Sequence, residues 1–159
     1  MGEPFAPVFF ILGLVSFLLA HLTYIFYFLN TSSPQPSFFR QRPIMLLPVA
    51  VIVIELLNVL WSSLGVMKLP VIIYAIVIGT MLGTALWQFK KLNSHASSWF
   101  ITGAVSFIVS DALLAINKFS HPFDNAGILI MGTYCFAQYA IAKGSLYHLL
   151  SLQGNSWKH

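Results

Sequence analysis

Charge is what this sequence has least of. Of 159 residues only 8% are Asp, Glu, Lys or Arg, and four of them are acidic. A soluble domain carries about 25% charged residues, so this chain cannot coat itself in polar side chains. Cysteine is nearly absent as well. Cys135 stands alone, which excludes an intrachain disulfide and a cysteine metal cluster; within its apolar run it reads as a small helix-packing residue. Familiar soluble chemistry is missing too. There is no phosphate-cradling glycine loop, no HExxH and no GxSxG elbow. His21, His95, His121, His148 and His159 have no metal-ligand spacing, so no metal and no cofactor is expected. No repeat or low-complexity tract breaks the chain into modules.

What is present is apolar. The chain is 58% hydrophobic, with a mean hydropathy of +0.82. Several runs reach the roughly 20 mostly apolar residues needed to cross a bilayer. The pattern predicts an all-α fold, a polytopic transmembrane helical bundle forming one integral membrane domain over residues 1–159. Five spans are expected, at Phe5–Leu29, Ile44–Leu64, Pro70–Phe89, Ser98–Ile116 and Ala126–Leu150. The last is expected to end near Lys143 and continue as an interfacial helix. Turn-rich stretches separate them: "NTSSPQPS", "GVMKLP", "KKLNSHAS" and "NKFSHPFDN". Pro43 and Pro70 suit first helical turns, where a missing N–H is harmless. The first span is not read as a cleaved signal peptide, because it lacks a basic start and a small-residue cleavage site.

The net charge of +4 is explained by loops rather than by nucleic acid, which is not an expected partner. Arg40, Arg42, Lys90, Lys91, Lys143 and Lys158 fall on one face, and Lys68 and Lys118 on the other. That six-to-two split places the N-terminus outside and the C-terminus in the cytoplasm. Trp61, Trp87 and Trp99 near span ends read as interfacial anchors.

Ionisable residues inside spans are costly, so each is a functional candidate. His21 stands in "FLLAHLTYIFYF", with Tyr24 three residues on and therefore on the same face. Asp111 lies in "GAVSFIVSDALLAINKF", where Gly103 and Ser106 mark a close-packed side and Ser110 is adjacent. A buried carboxyl that keeps its proton can serve as a general acid; a structural carboxyl bonded to a serine or tyrosine is the bland alternative. Glu55, with Asn58 three residues later, divides evenly between a headgroup-binding pair and a structural one. Tyr134 and Gln138, spaced i, i+4, share a polar face that reads first as interhelical glue. Asp124 and Glu3 fall outside the spans.

Three stretches, "GLVSFLLAHLTYIFYF", "GAVSFIVSDALLAINKF" and "YCFAQYAIAKG", in this order and spacing resemble the YhhN-like membrane family, which includes the lysoplasmalogenases. The match runs over nearly the whole chain. The resemblance implies hydrolysis of the vinyl ether bond of a lysoplasmalogen, giving a fatty aldehyde and a glycerophospho-headgroup. It implies a membrane lipid or lysophospholipid as partner, with a homo-oligomer left open. The expected membrane is the inner or plasma membrane of a bacterium or the endoplasmic reticulum of a eukaryote. In that reading Asp111 is the acid or the oxocarbenium stabiliser, and His21 positions or deprotonates water. Tyr24, Ser110, Tyr134, Gln138 and Glu55 hold substrate. Family members usually begin with further helices, one bearing a Gly-Asp pair, and the resemblance implies that about three spans are absent here. The alternative is therefore a truncated, non-catalytic member that binds lipid or assists assembly. A small transporter ranks below both, since no discontinuous helix is evident. Helical rise sets Asp111 and His21 at depths differing by about 8 Å.

Overall fold

The computed structural model describes residues 6–31, 47–89 and 92–156, with side chains for 8–31, 47–89 and 92–153. Expectations that fall on Glu3, on the first loop beyond Thr31 with Arg40, Arg42 and Pro43, on Lys90 and Lys91, or on Lys158 and His159 lie outside these residues.

Five α-helices follow one another among the described residues: α1 Ala6–Asn30, α2 Leu47–Leu60, α3 Lys68–Trp87, α4 Ser94–Phe119 and α5 Ala126–Ser156. The five expected spans are therefore five helices. Three stretches are long and apolar enough to cross a membrane: Val8–Asn30, Gly65–Trp87 and Ser94–Phe119. The apolar helix α2 is shorter, at 14 residues. α5 continues past Lys143 and runs unbroken for 31 residues.

Local chemistry sets the ends. Pro70 falls in the first turn of α3, where backbone N–H groups have no intrahelical acceptor to lose. The turn that precedes it needs Gly65 at φ +48°, a conformation that a side chain disfavours. The Asn93 side chain caps α4 by accepting from the His95 N–H at 2.9 Å. At the other end Ser120 and His121 both donate to the Ile116 carbonyl. Asn125, at φ 59°, turns the chain into α5 and accepts from the Ile128 and Leu129 N–H groups.

α4 and α5 form the tightest pair. Gly103 lies so close to α5 that an added Cβ would stand 2.6 Å from Ile141 Cγ1 and 3.1 Å from the Ala137 carbonyl oxygen. Gly144 meets the Phe100 ring in the same way, at 2.7 Å. The Ser110 hydroxyl completes the seam by donating to the Ile130 carbonyl at 3.0 Å.

α1 lies against α3 and reaches α4 through rings. Phe28 meets Phe100, His21 meets Phe107 and Phe10 meets Phe119, at centroid separations of 5.1, 5.0 and 5.6 Å. Residue numbers fall on one side as they rise on the other, so α1 and α4 are antiparallel. At the Asn30 end, the Gln88 side-chain amide donates to the Phe28 carbonyl, and Ser97 Oγ donates to the Gln88 carbonyl. The outward side of α1 carries Val8, Leu12, Val15, Leu19, Leu22, Phe26 and Leu29, all exposed. A soluble monomer rarely shows an apolar stripe of that length; on a membrane protein it meets lipid.

Candidate active site

The centre of the molecule is built around one histidine. His21 is fully buried. Its Nδ1 lies 2.6 Å from the Phe17 carbonyl, one turn earlier in α1. A carbonyl only accepts, so Nδ1 carries the proton, and the neutral ring keeps its lone pair on Nε2. That Nε2 has no hydrogen-bond partner among the described residues. It lies 3.6 Å from Asp111 Oδ2 on α4, beyond hydrogen-bond range and close enough for a single proton to matter to both groups.

The contact removes the 8 Å depth difference expected from helical rise. A helical Cβ leans toward the N-terminus of its own helix. In antiparallel α1 and α4 those leans are opposed, so His21 and Asp111 incline toward each other. Depth reckoned along the axes alone overstates their separation.

Tyr74, on α3, completes the group. Its hydroxyl donates to Asp111 Oδ2 at 2.8 Å, and its ring stands edge-on to His21 with centroids 5.6 Å apart. The sequence reading did not single it out. Its signal was present: a tyrosine well inside an apolar helix needs an acceptor for its O–H once buried, and few carboxyl groups were available to supply one.

A second polar chain lies on the far side of Phe107. Tyr24 of α1 donates to Gln138 Oε1, and Gln138 Nε2 donates to Tyr134 Oη at 3.1 Å. Phe107 contacts His21, Tyr24 and Tyr134 at once, with ring centroids 5.0, 5.8 and 5.7 Å away. These three polar residues tie α1 to α5 and hold Phe107 against the histidine.

Two other candidates are placed elsewhere. Ser110 is buried, and its hydroxyl proton goes to the Ile130 carbonyl, so it clamps α5. Glu55 is exposed, as is Asn58. The inward face of α2 is Val53, Leu56, Leu57 and Leu60, a spacing that fills one side of a helix and turns Glu55 away from Asp111. Cys135 is likewise exposed rather than packed between helices, because α5 turns it outward beside Met131, Gly132 and Phe136. Among the described residues no three His, Cys, Asp or Glu gather as metal ligands would.

The group opens on a cavity of about 260 Å³ between α1, α2, α3 and α4. Asp111 and Tyr74 line it, and the rest of the wall is almost wholly apolar, including Phe17, Leu57, Ile78 and Leu114. At the far end Phe10 and Phe119 meet edge to face, and the Lys118 ammonium sits 5.1 Å from the Phe10 ring centroid. One end of the cavity therefore presents the Asp111 carboxyl and the Tyr74 hydroxyl, while the walls suit a hydrocarbon.

An all-helical membrane protein with a buried histidine–carboxyl contact beside an apolar cavity is the class defined by this architecture. The YhhN family model matches residues 5–145, and the chain belongs to that family. Among curated proteins it is 30% identical over 141 residues to a lysoplasmalogenase of Mycobacterium bovis, covering 87% of this chain and 51% of that protein. It is 30% identical over 141 residues to Homo sapiens lysoplasmalogenase TMEM86B, covering 88% and 55%. It is 30% identical over 152 residues to Bos taurus lysoplasmalogenase TMEM86A, covering 87% and 56%. The chain thus spans about half the length of these relatives. No solved structure matches it.

Proposed function

We propose that this chain carries the proton-transfer site of a lysoplasmalogenase-like hydrolase acting on the vinyl ether of a lysophospholipid. One observation carries the proposal: the Asp111 carboxyl, held by Tyr74 and 3.6 Å from the buried His21 Nε2, lines a cavity fit for an alkyl chain. The relatives' names point to the same reaction.

The chemistry uses these groups in sequence. Asp111, carrying the proton, delivers it to the alkene carbon next to the ether-bearing carbon. The positive charge that develops is an oxocarbenium ion, stabilised by the carboxylate left behind. Water adds to the oxocarbenium carbon, and its proton passes to the free lone pair of His21 Nε2. The hemiacetal then collapses: its hydroxyl proton returns to the Asp111 carboxylate as the aldehyde forms, the proton held on His21 passes to the glycerol oxygen as its carbon–oxygen bond breaks, and a fatty aldehyde and a glycerophospho-headgroup leave with both side chains restored. Tyr74 holds Oδ2 throughout. Tyr24, Tyr134 and Gln138 keep Phe107 and the histidine ring in place.

In this reading the helices cross the bilayer several times, with the N-terminus outside, in a plasma or inner membrane or in the endoplasmic reticulum. The partner is a lysophospholipid, whether the chain acts alone or as a homo-oligomer. The second reading is a lipid-binding member without catalysis. It is favoured by the single carboxylate that the cavity presents among the described residues. Purified protein in lipid vesicles, supplied with a lysoplasmalogen and assayed for aldehyde, separates the two. Aldehyde release by the wild type that is lost in Asp111→Asn and His21→Ala supports the hydrolase; an inert wild type that still binds the lipid supports the other.

A further inference from the structure

Along the α1 wall of the cavity run Phe9, Phe10, Gly13, Leu14 and Phe17. Every one of these except Gly13 fills space. A Cβ added at Gly13 would meet nothing within 4 Å, although the residue lines the cavity. Across from it on α4 stands Ala115, also in the wall. Gly13 follows Phe10 by three residues and Ala115 precedes Phe119 by four, so each lies one turn inside the aromatic pair that caps the far end. Two small residues therefore flank the passage between the Asp111 end and the Phe10–Phe119 end. Gly13 lies eight residues from His21, about 12 Å along the helix.

We infer that Gly13 sets the length of alkyl chain the cavity admits: with no side chain at 13, a long chain runs past Ala115 to the aromatic cap. The inference rests on the proposed hydrolase reading for the identity of the chain, and it adds the residue that selects among chains. A Cβ at 13 has no neighbour within 4 Å, and the position lines the cavity, so a bulky side chain there has open space to enter. It closes the passage at the level of Ala115, about one turn from Asp111, and leaves the part beside Asp111 and Tyr74 open. Gly132 of α5 supplies a control. A Cβ there also meets nothing within 4 Å, but the position is exposed and away from the cavity.

The test uses saturated alkyl-ether lysophospholipids, which the vinyl ether chemistry cannot cleave, so that binding is read apart from turnover. Affinities of a hexadecyl and an octyl ether are measured for the wild type, Gly13→Phe, Ala115→Leu and Gly132→Phe in phosphatidylcholine vesicles. The expected result is a fall of about tenfold or more in the hexadecyl-to-octyl affinity ratio for Gly13→Phe and Ala115→Leu, the discrimination that a methylene or more of blocked apolar contact provides. Gly132→Phe leaves the ratio unchanged. A wild-type ratio retained in a folded Gly13→Phe protein overturns the inference, as does a wild type that binds neither ether. Should Gly13→Phe fail to fold, Ala115→Leu decides from the opposite wall. An absence of aldehyde from vinyl ether substrate, with the binding ratio shifted as expected, would sink the hydrolase reading and leave the role of Gly13 standing.

Discussion

The two long sides of α4 solve opposite problems. The side facing α5 is closed: Gly103 brings the backbones together, the Gly144 position receives the Phe100 ring, and Ser110 bonds across to Ile130. The side facing α1 and α3 is held open: rings span the gap at Phe100, Phe107 and Phe119, and a cavity remains between them. Interiors pack close to crystal density, so an apolar void beside a buried carboxyl is not what folding alone would leave. The closed side makes the structure and the open side makes the site. The same residue type has opposite meaning on each: glycine at 103 admits a neighbouring helix, and glycine at 13 admits a ligand.

Substitutions at the two sides should separate accordingly. The largest effect belongs to Asp111→Asn, which removes the transferable proton without changing shape. Aldehyde release is expected to fall by about 10³-fold or more, while the melting temperature of the purified protein stays near that of the wild type. Next comes His21→Ala, expected to cost about 10²- to 10³-fold in kcat; imidazole added to the assay should restore part of it, because the ring leaves a cavity behind. Tyr74→Phe keeps the ring against His21 and loses only the hydrogen bond to Oδ2. A kcat lowered by about tenfold to a hundredfold with little change in KM is expected, in line with one hydrogen bond to a charged group. An equal loss in KM would place Tyr74 in substrate binding instead.

The remaining two predictions sharpen the contrast between glycines. Gly103→Ala forces a methyl to 2.6 Å from Ile141 and 3.1 Å from α5 backbone atoms, and backbone gives way poorly. A loss of about 1–3 kcal/mol of stability is expected, read as lowered resistance to thermal unfolding in detergent. Gly13→Ala adds the same methyl into open space. It should leave stability unchanged or raise it by up to about 1 kcal/mol through helix propensity. Equal destabilisation by both would erase the distinction between the two sides of α4.

Much of this was legible in the sequence, for reasons of energy. Apolar runs announce helices because a bilayer leaves backbone groups no other way to be satisfied, and proline at 70 marked where one of them begins. His21 and Asp111 stood out because ionisable groups in such runs are expensive. The same reasoning overreached at Glu55, since cost alone does not say which way a helix faces. It takes the tertiary arrangement to show that the inward side of α2 is the one carrying Leu56, Leu57 and Leu60. Tyr74 was passed over because tyrosine is unremarkable in a membrane helix: its buried O–H called for an acceptor, but that acceptor lies 37 residues away. Gly13 was invisible for a related reason: an empty space has no residue to represent it, and only the surrounding walls reveal it.

The central claim is that the open side of α4 performs proton-transfer chemistry on a vinyl ether lipid. The most direct measurement is aldehyde release from a lysoplasmalogen by the purified wild type in vesicles, beside Asp111→Asn at equal folded concentration. The account predicts turnover by the wild type and none above background by the variant. Turnover that survives in Asp111→Asn, or a folded wild type that binds the lipid and never releases aldehyde, would contradict it.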